Sequence, residues 1–434
     1  MKLLFSLAIS LATLCVSAQS QTYPKLDTLL QRLAENNKAM GALVITTPEG
    51  VAYQSGYGNA NRAQEQLNTT QTRFRIGSIS KTFTALIIMQ LVEEGKLKLN
   101  DRLGDFFPDL PNAQAITVAQ MLGHRSGLYN FTNAQQYLTY MEKPQSRADM
   151  LAIFKEGGTV FEPGEKMEYS NTNYVLLSFI AEEVEQQRFA AIFQKRIAQR
   201  LSLKNTYVET AASNQPKAES YEWDGAWQVA THTHPSVPLG AGAVVSTPLE
   251  LNRAFRGIFN HKLCSQENLE RMQEEQLGLF LFPFGGKVAY GHNGGIDGFV
   301  ANASYFRKDS VAVTCLNNGL NYNLNQLMLG VLSIYFEQPY TLPNFGQAVK
   351  VDTALLKTYV GVYKSAQFPL DITLSVEGEQ LKAQATGQPM LTLEAQSPTD
   401  FTFAPAGIEI EFSRAGQFTL RQNGQVVEFE REKP

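Results

Sequence analysis

Apolar positions change period several times along the chain, and each change marks an element. Ala42 to Thr47 alternates as a strand does, breaks at Pro48-Glu49-Gly50 and resumes from Val51 to Tyr57, which predicts a hairpin. A second hairpin is predicted far downstream, from Phe299 to Phe306 and Val311 to Asn317, with Lys308-Asp309 at its turn. Helical pattern dominates between them. Phe83 to Val92 is apolar almost all round, the mark of a helix buried on every side and too short to span a bilayer. Val175 to Leu201 keeps helical spacing with charges on one face, and Leu324 to Phe336 predicts another helix ahead of Pro339. Strands at both ends with helices inserted between them predict an α+β fold, an antiparallel sheet flanked by helices and joined to a mostly helical subdomain.

The pattern shifts after Pro339-Tyr340-Thr341-Leu342-Pro343, a linker. From about Val351 short alternating runs are punctuated at Glu377-Gly378, Thr386-Gly387, Ala406-Gly407, Ala415-Gly416 and Asn423-Gly424. Such spacing predicts a small all-β barrel or sandwich. At the other end, Lys2 precedes an apolar run from Leu3 to Val16, and Val16-Ser17-Ala18 offers the small residues a signal peptidase cuts after. Ser6, Ser10 and Thr13 interrupt that run, so it is a poor membrane anchor, and Leu14 before Cys15 disfavours lipid attachment. The expected organisation is a signal peptide at 1–18, a large α+β domain at 19–340 and a β domain at 341–434, with a periplasmic or secreted product and no stable membrane anchor.

Composition narrows the function classes. Of 434 residues 44% are hydrophobic and 18% charged, which excludes a disordered chain. Lys plus Arg is 37 against 41 for Asp plus Glu, a net charge of -4, so no basic footprint for nucleic acid exists. Cys264 and Cys315 alone remain after signal cleavage; one bridge is permitted, but buried free thiols are the simpler reading.

Three segments carry candidate chemistry. In Gly77-Ser78-Ile79-Ser80-Lys81 a spacing of three puts Ser78 and Lys81 on one helical face, so the amine can reach the hydroxyl and, shielded by apolar neighbours, deprotonate it. The bland alternative is a helix N-cap with a solvated lysine. Tyr169-Ser170-Asn171 reads as extended chain before a helix, so Tyr169 and Asn171 point the same way, a phenol for proton transfer and an amide for substrate binding. Gly291-His292-Asn293-Gly294-Gly295 precedes the Phe299 strand; its glycines allow close backbone approach, and His292 has a hydrogen bond or a carboxylate contact to offer.

In this order the segments resemble the serine β-lactamase and penicillin-binding-protein superfamily, in its class C β-lactamase and D-Ala-D-Ala carboxypeptidase branch, with S-x-x-K, Y-x-N and H-x-G motifs. Met121-Leu122-Gly123-His124-Arg125-Ser126-Gly127-Leu128 and Gly240-Ala241-Gly242 are similar to accessory stretches of that family. The resemblance covers about residues 25 to 340. It implies Ser78 as acylated nucleophile, Lys81 and Tyr169 managing its proton, and Asn171, His292 and Gly294 lining the substrate cleft. The backbone amides of Ser78 and Gly295 would form an oxyanion hole, each donor worth about 10² to 10³ in rate. His124 is implied to be structural. Tyr359-Val360-Gly361-Val362-Tyr363 resembles the opening of lipocalin-like domains that follow some of these hydrolases.

The implied activity is hydrolysis of peptide, amide or ester bonds in a small molecule or peptide, peptidoglycan fragments among them, with no cofactor and no metal. His292 stands where a β-lactamase of this branch presents lysine; with an ordinary imidazole pKa its anchoring of a carboxylate would be weaker and pH dependent, which favours peptidase or esterase over β-lactamase action. Rival classes have less support. His232-Thr233-His234 has metal-ligand spacing but no third ligand follows, no G-x-S-x-G elbow marks an α/β-hydrolase, and a non-catalytic binding protein would not need every chemical group intact.

Overall fold

In a computed structural model, residues 22–345, 349–422 and 425–432 are described. The expected signal segment and the Asn423-Gly424 turn lie outside the described residues. Both predicted hairpins form and share one sheet, whose main path runs Phe280–Phe284, Lys287–Ile296, Phe299–Phe306, Val311–Leu320, Ala39–Thr47, Gly50–Tyr57 with every neighbour antiparallel, the short Tyr221–Trp223 strand adding a parallel bridge at Gly319. Leu43 opposite Cys315 and Ile45 opposite Val313 set the register between the two distant hairpins. Both faces of the Ala39–Thr47 strand are buried because helices cover the sheet on two sides. Leu26, Leu29, Leu30 and Leu33 of the Pro24–Glu35 helix and Leu327, Val331 and Ile334 of the Leu324–Tyr335 helix pack with Leu43, Ile45 and Val313. On the other face the Pro248–Phe259 helix is pinned by Asn252, whose Nδ2 donates to Val44 O at 2.9 Å while its Oδ1 accepts from Thr314 Oγ1 at 2.7 Å.

The Ser80–Glu93 helix is buried on all sides, from Ser80 to Leu91, as its unbroken apolar character requires. The expected Val175–Leu201 helix is corrected: a helix runs from Asn171 to Glu185, turns at Gln186 with φ +52°, and a second short helix, Phe189–Phe193, continues into a wider turn at Gln194–Ala198. The break is polar and capped, since Phe189 N donates to Glu182 Oε1 at 2.8 Å. It lets Phe193 turn in against Phe83, edge to face with centroids 5.5 Å apart.

The C-terminal segment folds into a nine-stranded antiparallel sheet whose two edge strands, Leu391–Thr392 and Glu394–Ala395, are separated by Leu393 alone, so the sheet curls nearly into a barrel. Its own core includes Tyr359 stacked on Phe412 and Phe418 on Phe429. Gly378 and Gly416 take φ +59° and +90° at hairpin turns, as the turn signals require. This β unit meets the rest through Glu394, which pairs with Lys38 and accepts from Asn321, and through Asp224, which accepts from Thr392 and Lys382. Cys264 and Cys315 are buried free thiols. Among the described residues no helix is long and apolar enough to cross a membrane.

Candidate active site

Ser78 sits in a single tight turn, Gly77–Ile79, that feeds directly into the buried helix, so neither Ser78 nor Ser80 acts as a side-chain N-cap. One turn on, Lys81 is fully buried, and its Nζ donates to Ser78 Oγ at 2.9 Å, Asn171 Oδ1 at 2.8 Å and Ala241 O at 2.8 Å. All three acceptors are neutral. Burial therefore holds the Lys81 amine well below its ordinary pKa with no carboxylate to restore it. Once it has lost a proton the amine can keep Asn171 Oδ1 and Ala241 O as acceptors for its two N–H bonds, and its lone pair then faces Ser78 Oγ to take the serine proton.

The Ala241 carbonyl comes from the glycine-rich Leu239–Gly242 turn, held down by Thr84 Oγ1 on Gly240 O at 2.7 Å and by Ser80 Oγ accepting from Val244 N at 3.1 Å. A Cβ on Gly240 would lie 2.6 Å from that of Ser178, so a side chain there would lift the carbonyl away from Lys81.

Tyr169 and Asn171 reach the same cleft, although Asn171 is already the first residue of its helix. Asn171 is held at both ends, its N–H on Asn130 Oδ1 at 2.9 Å and its Nδ2 on Thr132 Oγ1 at 3.1 Å. Tyr169 has its ring 4.9 Å from Lys81 Nζ. Burial pushes its phenol well above the ordinary value, the neighbouring Ser78 hydroxyl pulling the other way. Beneath it His124 stacks on the ring at 4.4 Å between centroids, and its Nδ1 accepts from Ser170 N at 3.2 Å. His124 is lowered to about 3 by burial and then by Lys81 and His292, so it is a neutral plate that fixes the tyrosine.

His292 precedes the Phe299 strand as expected and itself lies inside a strand, Lys287–Ile296, where it pairs with Ala303. The glycines serve close packing here: a Cβ on Gly294 would meet Ile76 O at 2.0 Å, and one on Gly77, whose φ is +50°, would meet Gly295 N at 2.7 Å. The Gly295 backbone thus abuts the residue preceding Ser78, while the Gly295 Cα faces open space. His292 itself is 4% exposed, with Phe280 edge-on at 4.9 Å. Its Nδ1 meets the Asn293 carbonyl, which only an N–H can satisfy, so Nε2 is a bare acceptor, and that buried atom has no partner. The expected imidazole near its ordinary pKa is corrected: burial, and then the Lys81 charge, lower it to about 3, so His292 stays neutral at pH 6 as well as pH 8.

Four residues of a buried network were missed in the sequence. Arg75, 1% exposed, donates to Glu209 at 2.7 Å, to Asp297 at 2.8 Å and to Thr233 O at 2.8 Å, while Asp297 also accepts from Thr233 Oγ1 at 2.6 Å. The His232-Thr233-His234 segment is built into this network through Thr233, and His234 Nδ1 pairs with Ser236 Oγ at 2.8 Å. Arg75 between Phe74 and Ile76 was the signal: a charge flanked on both sides by large apolar residues is buried and paired, or it is not tolerated. Asn130 and Thr132, on the loop after the Ser126-Gly127-Leu128 stretch, gave no such signal.

A buried lysine on a serine at the head of a core helix, set against a strand of an antiparallel sheet, defines a serine hydrolase of the β-lactamase and penicillin-binding-protein type. The Beta-lactamase family model matches residues 26–326, and the chain belongs to that family. It is similar to penicillin-binding protein 4* of Bacillus subtilis (strain 168), 26% identical across 94% of this chain and 98% of that protein. It is also similar to the teichoic acid D-alanine hydrolase of Staphylococcus aureus (strain MRSA252), 25% identical over 69% of this chain and 75% of that one. Among solved structures, the D-amino acid amidase of Ochrobactrum anthropi SV3 in complex with L-phenylalanine superimposes with a TM-score of 0.65, 25% identical over 72% of this chain and 98% of that chain.

Proposed function

We propose that this chain is an exported hydrolase that cleaves amide or ester bonds to a D-amino acid, through an acyl-enzyme on Ser78. The observation that carries the reading is the buried, carboxylate-free setting of Lys81 against Ser78 Oγ, which suits the amine to act as base. Tyr169 then gives its phenol proton to the leaving group and is reprotonated by Lys81, the amides of Ser78 and Gly295 hold the oxyanion, and Asn171 keeps Lys81 oriented while its amide edge borders the substrate. Water attacks the acyl-enzyme with the same groups reversed. The named activities of the amidase and the D-alanine hydrolase share a D-aminoacyl group, and they support that substrate class. Residues 19–340 would make up the catalytic domain and 341–434 the lipocalin-like β domain, with export through removal of 1–18 and a periplasmic or secreted destination.

The test is incubation with D- and L-alanine p-nitroanilide, D-phenylalanine amide, a D-Ala-D-Ala peptide and nitrocefin, with intact-protein mass spectrometry to catch an acyl adduct on Ser78. Turnover of the D-aminoacyl compounds above their L counterparts supports the reading. Nitrocefin as the best substrate by a wide margin, or turnover that survives Ser78→Ala, removes it.

A further inference from the structure

A cavity of about 370 Å³ lies at the turn end of the Ala39–Thr47 and Gly50–Tyr57 hairpin, away from every residue assigned above. We propose that it is a binding site for a phosphate-type oxyanion. Arg200, Arg253, Arg256 and Lys262 all line it, together with Thr46. In a chain with a net charge of -4, four cations around one cavity are not a consequence of composition. Among the described residues none of the four makes an ion pair. The exposed Glu49 is near enough to Arg256 to feel its charge and does not bond to it.

The local structure gathers these charges. Arg253 and Arg256 are three apart on the Pro248–Phe259 helix and share the face that carries Leu249 and Asn260. A Cβ on Gly257 would meet Leu201 Cδ2 at 2.5 Å, so glycine there lets the 200–202 turn close onto the helix. Arg200 then donates to Lys262 O at 2.9 Å and Arg253 to Ser202 O at 3.2 Å, which fixes two guanidinium groups at the rim on neutral carbonyls and leaves their charges uncompensated. The dipole of the helix accounts for a cation in its last turn, Arg256, but not for the other three, which repel one another.

The second, independent feature is Thr46. It is 5% exposed, and its Oγ1 is buried without a hydrogen-bond partner while the residue lines this same cavity. A buried unpaired hydroxyl is destabilising unless something comes to meet it. A tetrahedral phosphate supplies several charged acceptor oxygens, which suit paired guanidinium donors, a lysine and one hydroxyl together. The cavity is at the small end of ligand pockets, which fits a phosphate with little attached to it, free or as one unit of a phosphodiester.

The test uses the full chain, with inorganic phosphate and glycerophosphoglycerol titrated separately at constant ionic strength, by calorimetry and by Tm, chloride being the reference. Both readouts should saturate for phosphate; matching affinity for the diester would point to a phosphodiester chain as the source, and preference for phosphate to a free anion. Arg253→Gln together with Arg256→Gln should weaken binding at least about tenfold. Thr46→Val, which keeps the shape of the side chain and hence the fold, should weaken it about fivefold. Ester turnover, which involves none of these residues, should be unchanged in both. Absence of a saturable response in the wild type, or unchanged affinity in either variant, overturns the proposal.

Discussion

Arg75 and Asp297, 222 residues apart in the chain, form a buried ion pair at 2.8 Å that joins the strand leading into Ser78 to the turn just after Gly295. The amides of Ser78 and Gly295, proposed above as the oxyanion donors, thus sit on segments that one side-chain contact holds together. With Glu209 and Lys217 the network has two positive and two negative members, so it is neutral as a whole.

Asp297→Asn should therefore act on both stability and rate. Removing one charge of a buried pair is destabilising by about 3–5 kcal/mol, because Arg75 and Lys217 are left to share Glu209 alone and the network carries an uncompensated positive charge in low dielectric. Loss of register between Gly295 and Ser78 should lower kcat more than it raises KM, since an oxyanion contact is made only in the transition state. Denaturant unfolding and steady-state kinetics check the two effects. A variant with full kcat would show that the backbone amides keep their places without the pair.

Ser78→Ala and Lys81→Ala should each abolish nearly all turnover of an activated ester, by similar factors, because groups that act as a unit are not additive. Circular dichroism checks the fold. The two differ in stability: Lys81→Ala removes a desolvated amine, whereas Ser78→Ala removes one of its three acceptors. Wild-type turnover in a folded Lys81→Ala protein would require another base.

Stability should fall on acidification below neutral pH. His124 and His292 are both lowered from 6.5 to about 3, so between those values the unfolded chain binds protons that the native state refuses. With the native pKa depressed for a base, stability is fully present above pH 6.5 and declines as pH drops toward 3. At pH 5 each histidine contributes about 2 kcal/mol of that loss, at roughly 1.4 kcal/mol per pH unit. Urea unfolding of the wild type and of His292→Asn at pH 7.5 and 5 measures it; the variant should lose less.

Both hairpins and the core helix were legible because their signals are local: period two in the strands, and an apolar surface all round from Phe83 to Val92. The Ser78 and Lys81 contact was legible for the same reason, since three residues of helix bring the side chains together. The break at Gln186 was not, because polar residues there continue the helical pattern and only the pull of Phe193 toward Phe83 decides the turn. Nor was the protonation state of His292. Its sequence neighbours are glycines and an asparagine, while the burial that holds it neutral comes from Phe280 and from the approach of Lys81.

That neutrality bears on selectivity. An imidazole with Nδ1 committed to the Asn293 carbonyl presents Nε2 as an acceptor, and an acceptor disfavours a substrate carboxylate while favouring an N–H or O–H donor. D-Aminoacyl amides and esters should then outrun a D-Ala-D-Ala peptide with a free C-terminal carboxylate, and nitrocefin, which is also a carboxylate, should be slow. Because His292 does not titrate near 6.5, the preference should be the same at pH 6 and pH 8. His292→Lys should reverse its direction, since an ammonium attracts the carboxylate; kcat/KM for the peptide should rise relative to the amide. The comparison of kcat/KM for the amide, the ester, the peptide and nitrocefin at both pH values, in wild type and His292→Lys, checks this. A peptide preference that appears in the wild type only at pH 6 would mean that the imidazole protonates within the site, and the assignment of Nε2 as an acceptor would have to be abandoned.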